Sequence, residues 1–225
     1  MASKLEIIYD IKEKLKITSD DADLTTEYIS HLIDVKRATL IKQSYSNLTK
    51  TLPNLLYQDL CMELEVAPLI QGMKCYGTIL RTKNTLPKVI NVSGREDLYL
   101  VRPLDILSAA YNQVPIERFA YLGNNRFLGN QIYTAIGTDR RIYFYSAQVD
   151  HKMIENVSIK GIFESTAEAA ELSCDQSCID DYNAEYPLEG YMVNEVVNLI
   201  VKELIQPLQI PGDELNDSED ERAKA

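Results

Sequence analysis

Basic residues are in deficit. The 225-residue chain carries 23 Lys and Arg against 34 Asp and Glu, a formal net charge of −11. Tight or sequence-specific nucleic-acid binding needs clustered cations to displace counterions from phosphates, and this balance argues against it. It is compatible with a surface past which a duplex slides without sticking. Long apolar runs are missing too. No stretch approaches the roughly 20 residues of a membrane span. The opening MASKLEIIYDIKEKLK mixes charge into its apolar residues every few positions, whereas a secretory signal needs an unbroken apolar centre of about 7–15 residues. The expectation is a protein made and used in the cytosol, or in an assembly built there.

Histidine and cysteine are scarce. There are two histidines, His31 and His151, and four cysteines, Cys61, Cys75, Cys174 and Cys178. The last two form CDQSC, a C-x3-C spacing, whereas zinc knuckles use C-x2-C pairs completed by further Cys or His. Neither histidine is spaced near a cysteine pair, so the expectation is no metal and reduced, mostly buried thiols.

Catalytic signatures are also wanting. Ser93 in NVSGRED lacks a G-x-S-x-G elbow. His31 lies in an amphipathic segment and His151 in a polar loop beside Asp150. GNNRFLGN, with Gly123 and Gly129, lacks both the Lys-Ser/Thr of a P-loop and the third glycine of a dinucleotide fingerprint. The acidic pairs Asp20-Asp21 and Asp180-Asp181, and the run Glu219-Asp220-Glu221, read as solvated. SDDADLTTE has neither the central Gly nor the terminal Glu of a calcium loop at the right spacing. In VSIKGIFESTAEAAEL, Glu164, Glu168 and Glu171 fall close together. If Ser165 or Thr166 caps a short helix, Glu168 sits in its first turn, where a carboxylate favours the positive helix end. That is a structural role. No enzyme activity and no cofactor are expected.

What is present is regular. Leu5, Ile8, Ile11 and Leu15 repeat at helical spacing over 4–16. Asp23 or Thr25 is the expected cap of a second helix over 25–46, its buried stripe marked by Ile29, Leu32, Ile33, Lys36, Leu40 and Ile41. Pro53 suits the first turn of a third helix, with Leu56, Leu60 and Leu64 facing inward. From 73 the pattern turns to short β-branched and aromatic runs: KCYGTIL, KVINVS, DLYLVRP, ERFAYL, NQIYTAI, RRIYFYS and VSIKG. DILSAAYNQ reads as a helical turn or two. GNN and GTD are hairpin connections. A last helix over 189–205 carries Met192, Val196 and Leu199 or Ile200, and Pro207 stops it. The expected fold is α+β. A helical bundle (three N-terminal helices plus the C-terminal one, 1–72 and 186–210) is interrupted by an inserted antiparallel β region, 73–185. The acidic segment 211–225 follows as a flexible tail.

Four segments together resemble the head–tail adaptor, or ring, proteins of short-tailed bacteriophages, particularly of crAss-like phages. They are LEIIYDIKEKLKITSDDADLTTEYISHLIDVKRATLIKQSY, PNLLYQDLCMELE, VSIKGIFEST with its following Ala and Glu residues, and EYPLEGYMVNEVVNLIVKELI with IPGDELNDSEDE. The resemblance implies a homo-oligomeric ring, typically of twelve copies, beneath the capsid portal. It implies the portal and a next tail ring or tail hub as partners, double-stranded DNA passing through without sequence-specific contact, and no membrane. The place is the virion's portal vertex, assembled in the bacterial host cytoplasm. A lower tail ring or a head-completion protein is the alternative. The resemblance further implies that the C-terminal segment orders by docking on a neighbour or on the portal. The candidate interface residues are Ile210, Pro211, Asp213, Leu215 and Asp217, with Tyr143 and Tyr145, which core or interface would suit equally.

Overall fold

The computed structural model describes residues 2–18, 24–46, 52–68, 79–90, 92, 98–105, 107–122, 131–146, 153–174 and 182–208. The chain divides into two compact units, one of residues 1–40 with 182–225 and the other of 41–181.

The first unit is built on α1 (Lys4–Thr18), α2 (Thr26–Ser44, which continues into the second unit) and α5 (Gly190–Leu208). Each start has a local cause. Ser3 and Glu6 form a reciprocal capping box, the Glu6 N–H donating to Ser3 Oγ at 3.2 Å and the Ser3 N–H to Glu6 Oε2 at 3.0 Å. Thr25 is the cap of α2, its hydroxyl accepting from the Tyr28 N–H at 3.4 Å; Asp23 lies outside the described residues. Ile7, Ile8, Ile11 and Leu15 are buried from α1, Ile29, Leu32 and Ile33 from α2, and Met192, Val196, Val197 and Ile200 from α5. The last helix runs through Pro207 to Leu208 rather than stopping before it.

A polar cluster sits within this apolar unit. Lys4, 1 % exposed, donates to Asp34 Oδ2 at 3.2 Å. The Tyr186 hydroxyl donates to Asp34 Oδ1 at 2.7 Å. Arg37, fully buried, donates through Nε to the Pro187 carbonyl at 2.9 Å and lies over the Tyr186 ring. Burial pulls the Arg37 guanidinium below its ordinary pKa, and Tyr186 and Asp34 push back. The buried cation of α2 is therefore Arg37, not Lys36, which is half-buried and pairs with Glu203.

The second unit overturns the expected bundle with an inserted β region. Where a third helix was expected, only a 3-10 turn, Asn54–Leu56, forms, and the chain then extends into β1 (Gln58–Val66). Leu60 and Leu64 are four apart, a spacing that puts two residues on one face of a helix and equally on one face of a strand. Met62 between them, also buried, and the alternation with Cys61, Glu63 and Glu65 fit the strand alone.

β1 is an interior strand of a seven-stranded mixed sheet with β2 (Leu80–Thr82), β3 (Leu100–Pro103), β4 (Asn112–Gln113), β5 (Tyr133–Ile136), β6 (Ile142–Tyr145) and β7 (Asn156–Gly161). The order is β3-β7-β1-β2-β6-β5-β4, antiparallel except for β4 on β5. Its two edges nearly meet. The Tyr111 N–H donates to the Val101 carbonyl at 2.8 Å, and the Gln113 side chain to the Leu98 carbonyl at 3.0 Å, so the sheet is a nearly closed barrel. Paired positions Leu60 and Ile159, Met62 and Val157, and Leu80 and Phe144 fill one buried cluster with Val101 and Ile142.

Other expectations are corrected here. ERFAYL, read as a strand, is a 3-10 turn, Ile116–Arg118, running into the short helix α3 (Phe119–Leu122). The helical turns expected at 105–113 give way to a turn and β4. Cys61 and Cys174 are disulfide-bonded rather than free. The Leu60–Ser173 bridge and the Cys61 N–H to Leu172 carbonyl bond, 2.8 Å, bring their Cα atoms to 4.7 Å across 113 residues of sequence. Cys75 and Cys178 lie outside the described residues.

Asp34→Ala strips a buried ammonium of its carboxylate. It should lower unfolding free energy by about 3 kcal/mol, read from the urea midpoint. Tyr111, half-buried with its ring edge-on to Phe144, has its phenol pushed up to about 12 by burial. The unfolded phenol ionises near 10. The folded state therefore retains the proton longer, and stability is lost as pH rises from about 10 to 12. Tyr111→Phe should lose less over that window in urea titrations.

Candidate interaction surfaces

The outward face of the sheet is charged and tied together. Glu65 on β1 accepts from Arg81 of β2 at 2.7 Å and from Arg141 beside β6 at 3.2 Å, and Lys83 meets Glu63 at 3.0 Å. Tyr143 and Tyr145 share this face of β6, both half-buried. The Tyr143 hydroxyl donates to Asp139 Oδ2 at 2.9 Å. Partial burial first, and then that hydrogen bond, raise the phenol's pKa. Tyr145 stacks on Phe119, ring centroids 5.6 Å apart.

The β5–β6 hairpin forms as expected on Gly137, Thr138, Asp139 and Arg140, with the Arg140 N–H donating to the Gly137 carbonyl at 3.0 Å. Arg140 takes φ 56°, the left-handed residue of a three-residue hairpin loop. Gly137 is needed for a different reason. A Cβ there would lie 2.5 Å from the Tyr143 ring.

Two of the three carboxylates of the 157–172 stretch have structural roles. Ser165 caps α4 (Thr166–Glu171), its hydroxyl accepting from the Glu168 N–H at 3.2 Å. Glu168 occupies the first turn, and Glu164 pairs with Lys88 at 2.9 Å. Among the described residues no grouping of His, Cys, Asp or Glu is placed to hold a metal ion, and no helix is long and apolar enough to cross a membrane. His31 is exposed on α2; Ser93 and His151 lie outside the described residues.

Several apolar side chains that follow β3 in sequence are exposed. Leu104, Leu107, Ile116 and Tyr121 are all exposed, Leu107 to 94 %. Asp105 holds that turn, accepting from the Leu107 N–H at 3.0 Å and the Ser108 hydroxyl at 3.2 Å. Near the barrel seam lies a cavity of about 700 Å³ whose lining includes Val101, Val114, Thr134, Ile136 and Arg118. Sequence reasoning had not singled out these surfaces. An exposed Leu between Ile106 and Ser108 carries no periodic signal, and a barrel seam exists only once the strand order is known. Of the candidate interface residues, Tyr143 and Tyr145 come together on β6. Ile210, Pro211, Asp213, Leu215 and Asp217 lie outside the described residues.

Comparison with known proteins follows the same span. The family described as phage tail ring protein 2 matches residues 6–222. The chain is 34 % identical over 222 residues to ring protein 2 of Bacteroides phage crAss001, covering 96 % of each chain.

The carboxylates' roles are separable by mutation. Ser165→Ala should cost about 1 kcal/mol of unfolding free energy for the lost cap. Glu168→Gln should cost less than about 0.5 kcal/mol, the worth of a surface charge at a helix start. Chemical denaturation of the two variants reads both.

Proposed function

Because the chain belongs to the family of phage tail ring proteins, we propose that its copies close into a ring beneath the capsid portal, join the portal to the next tail component, and line the channel by which DNA leaves. What carries the reading is a family match running through 6–222, both units included. The role is structural rather than catalytic. The charged side chains on the outward sheet face serve one another, and the apolar ones after β3 offer contact area.

A closed ring needs a heterologous contact, one surface of each copy meeting a different surface of the next. Each copy brings a net charge of −11. Acidic residues on the inner wall would repel a duplex and let it slide. The C-terminal segment, apolar at Ile210, Pro211 and Leu215 and acidic at Asp213 and Asp217, is the docking element, its ordering cost deducted from its affinity. Twelve copies is the number this reading takes.

The family description places its members in the tail. That observation favours a second reading, in which the ring stacks lower and meets another tail protein rather than the portal.

Mass measurement of the purified protein with and without portal decides between them. A closed oligomer forming on the portal is expected, and deletion of residues 211–225 should abolish its attachment. Binding to a tail component but not to portal would establish the second reading. Unchanged attachment and infectivity after the deletion would sink docking by that segment.

A further inference from the structure

The barrel leaves one seam incompletely zipped. β3 and β4 are the two ends of the strand order, tied by the Tyr111 N–H to Val101 carbonyl bond and by the Gln113 side chain on the Leu98 carbonyl. The cavity of about 700 Å³ lies alongside, walled by Val101, Val114, Ala135 and Ile136. Its size is within the range of about 300–1,000 Å³ usual for binding clefts. Thr134 lines it at 1 % exposure, and its hydroxyl oxygen has no hydrogen-bond partner among the described residues. A buried hydroxyl without a partner carries a desolvation cost that an incoming donor or acceptor removes. Arg118 lines the same cavity, exposed, with no carboxylate paired to it among the described residues. The slot thus combines apolar walls, one unmet hydrogen-bonding group and one available cation. That chemistry suits an extended peptide carrying both aliphatic side chains and carboxylates.

We propose that this slot receives the C-terminal segment, residues 209–217, of the neighbouring copy in the ring. α5 ends at Leu208, and 17 residues follow it, beginning QIPGDELND. Ile210 and Leu215 supply aliphatic side chains, Asp213, Glu214 and Asp217 the carboxylates for Arg118, and the peptide groups partners for Thr134. Fully extended, the nine residues QIPGDELND span about 30 Å. Because tail and slot are different surfaces, the contact runs in one direction from copy to copy. That is the head-to-tail geometry a ring needs. The proposal rests on the ring reading above and names the contact that closes it.

The test uses full-length protein with a photo-cross-linking amino acid in place of Leu215. Isotopically heavy and light copies are mixed, assembled on portal and digested for mass spectrometry. Heavy-to-light cross-links from position 215 to peptides containing residues 98–118 or 131–142 are expected. Arg118→Glu, an exposed change that leaves the barrel intact, should cut their yield by about fivefold. Combining Arg118→Glu with Asp213→Lys should restore it. Cross-links confined to copies of one isotope, or directed to the portal instead, overturn the proposal. A ring that assembles normally without slot cross-links overturns it while leaving the ring reading standing. No oligomer under any condition overturns both.

Discussion

The fold depends on β1. It is the one strand that holds both halves of the sheet, pairing with β7 from Gln58 to Glu63 and with β2 from Leu64 to Val66. The change of partner occurs within nine residues, and the inward side chains Leu60, Met62 and Leu64 stay on one face throughout. Long parallel burial would need an apolar run. An antiparallel barrel needs only alternation, and β1 alternates apolar residues with Cys61, Glu63 and Glu65. The outward acids then acquire work of their own, since Glu65 gathers Arg81 and Arg141 from strands on one side of it.

The helical unit is held differently. Its packing is aliphatic, yet the deepest positions include Lys4 and Arg37. Asp34 meets Lys4, the Pro187 carbonyl and the Tyr186 ring meet Arg37, and Tyr186 and Pro187 come from the segment just before α5. An ion pair so placed adds little net stability, because desolvation offsets most of the attraction. What it adds is discrimination, as a shifted helix would strand a charge in an apolar interior.

Local features of both units are readable from spacing and caps. The stripes of α1 and α5, the Thr25 and Ser165 caps and the GTD hairpin follow from local chemistry, and local chemistry is what a sequence displays. Arg37 lies four residues on from Ile33 along the stripe of Ile29, Leu40 and Ile41, yet the expected stripe runs through its neighbour Lys36. The third helix failed because Leu56, Leu60 and Leu64 satisfy two periods at once, and the intervening Met62 was not weighed. ERFAYL failed because aromatic residues suit strands on average, while Phe119 here stacks on Tyr145 from a helical turn. The Cys61–Cys174 bond and the seam cavity depend on pairings at least 10 residues apart and in one case 113. Nothing local encodes those.

Both units are closed by segments that arrive late. α1 packs with α5, which begins at Gly190, and β1 pairs with β7, which begins at Asn156. At a synthesis rate of about 5–20 residues per second, the first helix therefore waits roughly 10–40 s on the ribosome for its partner. The β-rich unit can close once residue 181 has emerged, whereas the helical unit needs the chain through Leu208. A product truncated before Gly190 thus leaves the apolar stripe of α1 without the helix that covers it.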